Sequence, residues 1–202
     1  MQSARAVSTV AIVATAAIVA ALIAAYGYAE FGGWTAEGAG AAARYTARFS
    51  FPLFVAAWSA SALATLWPGG WRSVMLRRRR AIGLSFAAAH FVHLAALLVV
   101  VLIFGAEPKA TTIYGGGAGY VFVALMALTS NDWSVRTLGP RNWKTLHTVG
   151  GLAIALIFTV SYLGRLDAKP WLAIPALTLL GGAVLLKAAA WLKKRAPRAA
   201  RA

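Results

Sequence analysis

The chain has no cysteine and only five acidic residues among 202, against twenty Lys and Arg. Without cysteine there are no disulfides, no thiolate-bound zinc and no iron–sulfur cluster. The acids, Glu30, Glu37, Glu107, Asp132 and Asp167, all lie outside the long apolar runs. No carboxylate is therefore offered at membrane depth to a proton pump or a cation transporter. Histidine is scarcer still, with three copies, His90, His93 and His147. No nucleophile elbow is visible, which leaves Ser–His–Asp catalysis without support. Gly115-Gly116-Gly117-Ala118-Gly119 is followed by none of the Lys and Ser/Thr that a phosphate loop needs.

Apolar residues are abundant: 60% of the chain is hydrophobic and 12% charged, and the mean hydropathy is +0.70. Soluble domains run at roughly 45–50% apolar and 25% charged, so the composition implies a polytopic membrane protein. The formal charge of +15 could suit nucleic acid. The cations cluster at the ends of apolar segments, however, which is a membrane pattern and argues against a nucleic-acid partner.

A membrane-crossing helix needs about 20 mostly apolar residues. Six segments meet this, over 7–29, 49–67, 81–104, 114–130, 145–163 and 171–192. The first is too long for a signal-peptide core of about 7–15 residues and is read as a span. The fourth is weakened by Gly115 to Gly119, and its helix is expected to begin nearer Ala118 and be short. With six spans, fifteen cations fall on the side of the termini and five on the other (Arg44, Arg48, Lys109, Arg165 and Lys169). By the positive-inside rule both termini are cytoplasmic. The expected fold is an all-α integral membrane protein: a six-transmembrane helix bundle forming a single domain over 1–202, with a basic cytoplasmic tail over 193–202 that can touch anionic lipid. Trp34, Trp67, Trp71, Trp133, Trp143, Trp171 and Trp191 lie near span ends and are read as interfacial belt residues.

Arg77-Arg78-Arg79-Arg80 runs into the third span, which carries His90 and His93; His147 opens the fifth. His90 and His93 are three apart, about 60° from each other on one helical face. His90 is about 15 Å along its helix from Arg80, and His147 about 5 Å from Lys144. Helix tilt and snorkelling absorb several ångströms, so the depths favour His90 over His93 as partner to His147. The unequal depths also disfavour a three-histidine zinc site.

Two neutral imidazoles from different helices, meeting in an apolar cavity, form an axial pair suited to a haem iron. A b-type haem held this way needs no cysteine. The competing reading is that each imidazole hydrogen-bonds to a carbonyl or a Ser/Thr of a neighbouring helix. Gly83, Ala87, Ala88, Ala89, Gly150 and Gly151 either make room for a macrocycle or allow close helix packing. Arg80, Arg141 and Lys144 either receive propionates or serve topology alone.

Arg79-Arg80-Ala81-Ile82-Gly83-Leu84 leading to His90/His93, then Thr129-Ser130-Asn131-Asp132 and Leu138-Gly139-Pro140-Arg141-Asn142-Trp143-Lys144-Thr145-Leu146-His147, resemble the ferric reductase-like transmembrane domain superfamily, nearest to MsrQ-type haem-binding membrane subunits. The motifs cover about residues 77 to 165, and the remaining spans match only in number and length. The resemblance implies a six-helix bundle with haem b between the third and fifth helices, acting as the electron-transfer subunit of an oxidoreductase in the bacterial inner membrane. Two-haem members carry a second histidine about thirteen residues after the one matching His147. Val160 stands there in this chain, so one haem is expected, with a second, held irregularly through His93, as the alternative. No flavin or nicotinamide domain lies within these residues. Electrons are expected from a separate flavoprotein or flavin reductase, or from a quinol, and are expected to pass to a partner oxidoreductase or a metal acceptor. The functional alternative is a cofactor-free membrane anchor or assembly factor on the same scaffold.

Overall fold

The structure, a computed structural model, describes residues 8–196. Arg5, Arg198 and Arg201, and the end of the expected basic tail, lie outside the described residues. Among the described residues there is no strand, and six helices are long and apolar enough to cross a membrane. The chain is an all-α, multi-pass membrane protein. Its helices are α1 (Thr9–Glu30), α2 (Ala36–Leu66), α3 (Gly70–Arg77), α4 (Arg79–Leu98, continued by a π-turn over Val99–Ile103), α5 (Ala110–Leu128), α6 (Asp132–Leu163) and α7 (Pro170–Arg195).

Four elements differ from expectation: α2, α5, the inserted α3, and α6, which begins at Asp132 where a start near residue 145 was expected. Helix α2 begins at Ala36 instead of near residue 49 and carries Arg44 and Arg48 within it. Arginine is a good helix former, so a charge that ends an apolar run does not end the helix. Helix α5 runs without interruption from Ala110 through Gly115, Gly116 and Gly117, where a start near Ala118 was expected. Each glycine costs a helix about 1 kcal/mol, but an unpaired backbone group in hydrocarbon costs several, so the helix persists. The loop expected between the second and third spans contains α3, whose Trp71, Val74 and Leu76 are exposed beside Arg72 and Arg77, an interfacial amphipathic pattern. The four-arginine run is consequently divided: Arg77 ends α3, Arg78 caps it, and Arg79 and Arg80 begin α4.

Helix α6 contains a sharp break. Gly139 has φ 76° and ψ 149°, and Pro140 follows. Proline lacks an N–H and cannot continue the preceding turn, while glycine accepts the left-handed φ that redirects the chain. Asn142 Nδ2 donates to the Leu138 carbonyl at 3.0 Å, covering an acceptor that the break uncovers. At the start of α6, Asn131 Oδ1 accepts from Ser134 N at 2.7 Å as an N-cap, so the residues before Gly139 are helical too.

The chain divides into two compact units, residues 1–54 with 80–114, and residues 55–79 with 115–202. In the first unit α1 crosses α2 so closely that a Cβ at Gly27 would lie 2.6 Å from Ala42 N. Ala39, Ala41, Ala42 and Ala89 are fully buried there with Thr46 and Ser50, and Ser85 Oγ donates to the Ile12 carbonyl at 3.4 Å. In the second unit Gly119 meets Ile157, Gly150 meets Met126 and Phe122, and Gly151 meets the Trp58 indole. Small residues inside and Leu, Val and Ile outside is the arrangement of helices that associate in lipid, where apolar side chains gain nothing by leaving the surface.

Gly27→Val is expected to lower the detergent melting temperature, by overpacking of about 1–3 kcal/mol. Gly116→Ala, where a Cβ meets nothing within 4 Å, is expected to leave it unchanged or raise it. Differential scanning fluorimetry of the two variants checks this.

Candidate functional site

His90, His93 and Arg80 fall in the first unit, and Arg141, Lys144 and His147 in the second. In the first unit, α4 sets its two imidazoles against α2. His90 Nδ1 lies 2.9 Å from Ser50 Oγ, and His93 Nδ1 lies 3.5 Å from Thr46 Oγ1. Ser50 and Thr46 are four apart on α2 and fully buried, one turn answering one turn. The rings continue an aromatic series along α4: Phe86 to His90 is 5.1 Å between centroids and His90 to His93 is 5.2 Å, with Phe54 at 5.3 Å from Phe86.

The hydroxyls fix which nitrogen carries the proton. A serine or threonine has one hydrogen to donate and two lone pairs. Ser50 gives its hydrogen to the Ala47 carbonyl at 3.0 Å, so it accepts from His90 Nδ1–H. Thr46 gives its own to the Ala42 carbonyl at 2.7 Å and accepts from His93 in the same way. Both rings are thus Nδ1–H tautomers, with the lone pair on Nε2, the atom through which imidazole ligates a haem iron. A metal-ligating histidine nearly always donates its other N–H to an outer partner, and Ser50 fills that place for His90. The contact to Thr46 is longer, and His93 also hydrogen-bonds to the Ala43 backbone on α2.

His147 is held the opposite way. Its Nε2 lies 3.1 Å from Thr129 Oγ1, and Thr129 donates its hydrogen to the Leu125 carbonyl at 2.7 Å. Nε2 therefore carries the proton, leaving the lone pair on Nδ1. Trp143, one turn earlier on α6, stacks on the ring at 4.1 Å and donates Nε1–H to the Thr129 carbonyl at 2.8 Å. Trp143 is thus half-buried and tied, while Trp34, Trp67, Trp71, Trp133, Trp171 and Trp191 are each more than half exposed, as belt residues are. Coordination through His147 Nε2 would need the ring to turn away from Thr129 and the proton to move from Nε2 to Nδ1. The donor set suits a haem at His90 as it stands and at His147 after that reorientation.

Arg141 and Lys144 point elsewhere. With Thr145, Thr148 and Val149 they line an open cavity of about 330 Å³ on α6. Positions 141, 144, 145 and 148 span about 100° of helix, and His147 lies about 110° from their centre. Space beside Gly150 and Gly151 is taken by Met126, Phe122 and Trp58, the close-packing reading of those glycines. Val160 is 61% exposed. Among the described residues no group of three or more His, Cys, Asp and Glu side chains converges.

Ser50, Thr46 and Thr129 escaped the sequence reading as individuals. The signal available was their rarity as hydroxyls inside apolar runs, since a buried histidine in lipid must find such a partner. Thr129→Val is expected to release the His147 tautomer and Ser50→Ala that of His90, each without moving the other. Side-chain ¹⁵N spectra of selectively histidine-labelled protein, made without added haem, check both.

No family model matches the chain, and no solved structure matches it. Among curated proteins it is similar to the protein-methionine-sulfoxide reductase heme-binding subunit MsrQ of Agrobacterium fabrum, at 33% identity over 133 residues. The match takes in 62% of this chain and spans 61% of that protein's length.

Proposed function

We propose that this protein is a b-haem membrane electron-transfer protein, with His90 and His147 as axial ligands and one haem per chain. The observation that carries the reading is the 2.9 Å contact of His90 Nδ1 with Ser50 Oγ, which leaves the Nε2 lone pair as the ligating atom. Similarity to a subunit named for haem binding points the same way. When bound, the haem supplies one-electron redox chemistry. Ser50 holds the His90 ring in its tautomer and orientation. Thr129 and Trp143 hold His147 until the ring turns, after which Trp143 still covers one face. Propionates would be drawn to the basic end of α4, where Arg80 stands. Val160, exposed on α6, offers no second ligand, which supports a single centre.

The setting we propose is the bacterial inner membrane with both termini cytoplasmic. Electrons would come from a flavoprotein or a quinol and leave to a partner oxidoreductase, with methionine-sulfoxide reductase chemistry as the case the similarity suggests, or to a metal acceptor. One observation favours the cofactor-free alternative of an anchor or assembly factor: the Thr129–His147–Trp143 cluster satisfies the histidine entirely within the protein.

The detergent-solubilised protein, made with ample haem, is expected to show a Soret band that shifts on dithionite reduction, at one haem per chain. His90→Ala and His147→Ala should each lose it and His93→Ala should keep it; absence of the band in the unmodified protein would favour the anchor. Ser50→Ala is expected to weaken haem retention about tenfold, the lower end for loss of an outer partner, read by haem transfer to an acceptor protein. A fluorescent protein fused after Ala202 should be bright, as it is in the cytoplasm.

A further inference from the structure

The exposed face of α6 changes character along its length. At its start the cavity of about 330 Å³ is lined by Arg141, Lys144, Thr145, Thr148 and Val149. Beyond it the same face continues as an apolar ridge, Leu152 at 54% exposure, Leu156 at 64%, Val160 at 61% and Leu163 at 49%. From Val149 to Leu163 the ridge runs about 21 Å, longer than the roughly 15 Å of one leaflet's hydrocarbon.

The polar end is built to receive an anion. No carboxylate of the described residues pairs with Arg141 or Lys144. Thr145 Oγ1 donates to the Arg141 carbonyl at 3.1 Å, which commits its hydrogen; Thr148 is left as the hydroxyl that can donate outward. Pro140 restarts the helix just before Arg141, so the positive end of a helix dipole falls at the same place. Arginine offers a planar fork to a phosphate and lysine a point charge.

We propose that this face holds an anionic phospholipid, its headgroup phosphate between Arg141 and Lys144 with Thr148 donating, and an acyl chain along Leu152, Leu156 and Val160. Charge complementarity at one end and an unbroken apolar ridge at the other select a lipid over a soluble phosphate, which has no use for the ridge. The site is separate from the haem reading, because His147 is turned about 110° from it.

Native mass spectrometry of the full-length protein in detergent tests this, titrating phosphatidylglycerol, phosphatidylcholine and inorganic phosphate. The protein should retain phosphatidylglycerol in preference to phosphatidylcholine. Arg141→Gln with Lys144→Gln should reduce that retention at least tenfold, while Arg165→Gln with Lys169→Gln, at the other end of the helix, should leave it unchanged. Should the first pair fail to fold, Lys144→Gln alone decides by the same ratio. Equal retention of the two lipids, equal loss in both double variants, or displacement of the lipid by inorganic phosphate would overturn the proposal. So would loss of the Soret band with lipid retained, which would return the two cations to the propionates.

Discussion

A polar side chain inside a membrane helix must find its partner within the protein, and this chain has no carboxylate there to supply one. Helix α2 takes that burden. In the first unit its Ser50 and Thr46 hydroxyls receive His90 and His93. In the second, its Ala57 carbonyl accepts from Arg79 Nε at 3.2 Å, and its Trp58 carbonyl from Lys187 Nζ at 3.2 Å, with the ammonium 4.8 Å from the Trp58 ring. Both side chains are largely withdrawn from solvent, where an unsatisfied charge would be costly.

The same economy governs the imidazoles. One hydroxyl hydrogen, given to a carbonyl of its own helix, decides the direction of the next bond, and so decides which nitrogen of each histidine keeps its lone pair. His90 and His147 come out opposite. Two histidines that look equivalent as letters therefore differ in chemistry: His90 meets Ser50 through Nδ1, and His147 meets Thr129 through Nε2 and stacks on Trp143. In the haem reading, His147 would need both a turn of its ring and a proton shift from Nε2 to Nδ1, and His90 neither.

Much of the fold was legible in the residues. Apolar length and tryptophan placement located six helices and an all-α architecture, because hydrocarbon leaves the backbone few other choices. Helix ends were less legible. Arg44 and Arg48 in α2, and Arg141 and Lys144 in α6, were expected outside the spans and lie within helices, because charge limits the membrane segment and not the helix. Gly139-Pro140 lay between the expected fourth and fifth spans and is a break between two helical pieces. Trp143 was read as one more belt indole, and only its stacking on His147 separates it from Trp133.

By itself the sequence determined the solvent and the number of spans, since composition and span length answer to the bilayer alone. Only the tertiary structure decided the tautomers, because a hydroxyl's hydrogen is committed by its neighbours in space. It likewise decided that Arg141 and Lys144 share a face with Thr148 while His147 does not, which follows from helical phase after the break at Gly139. A charge or an imidazole is named by the chain; what it can do depends on which atoms reach it first.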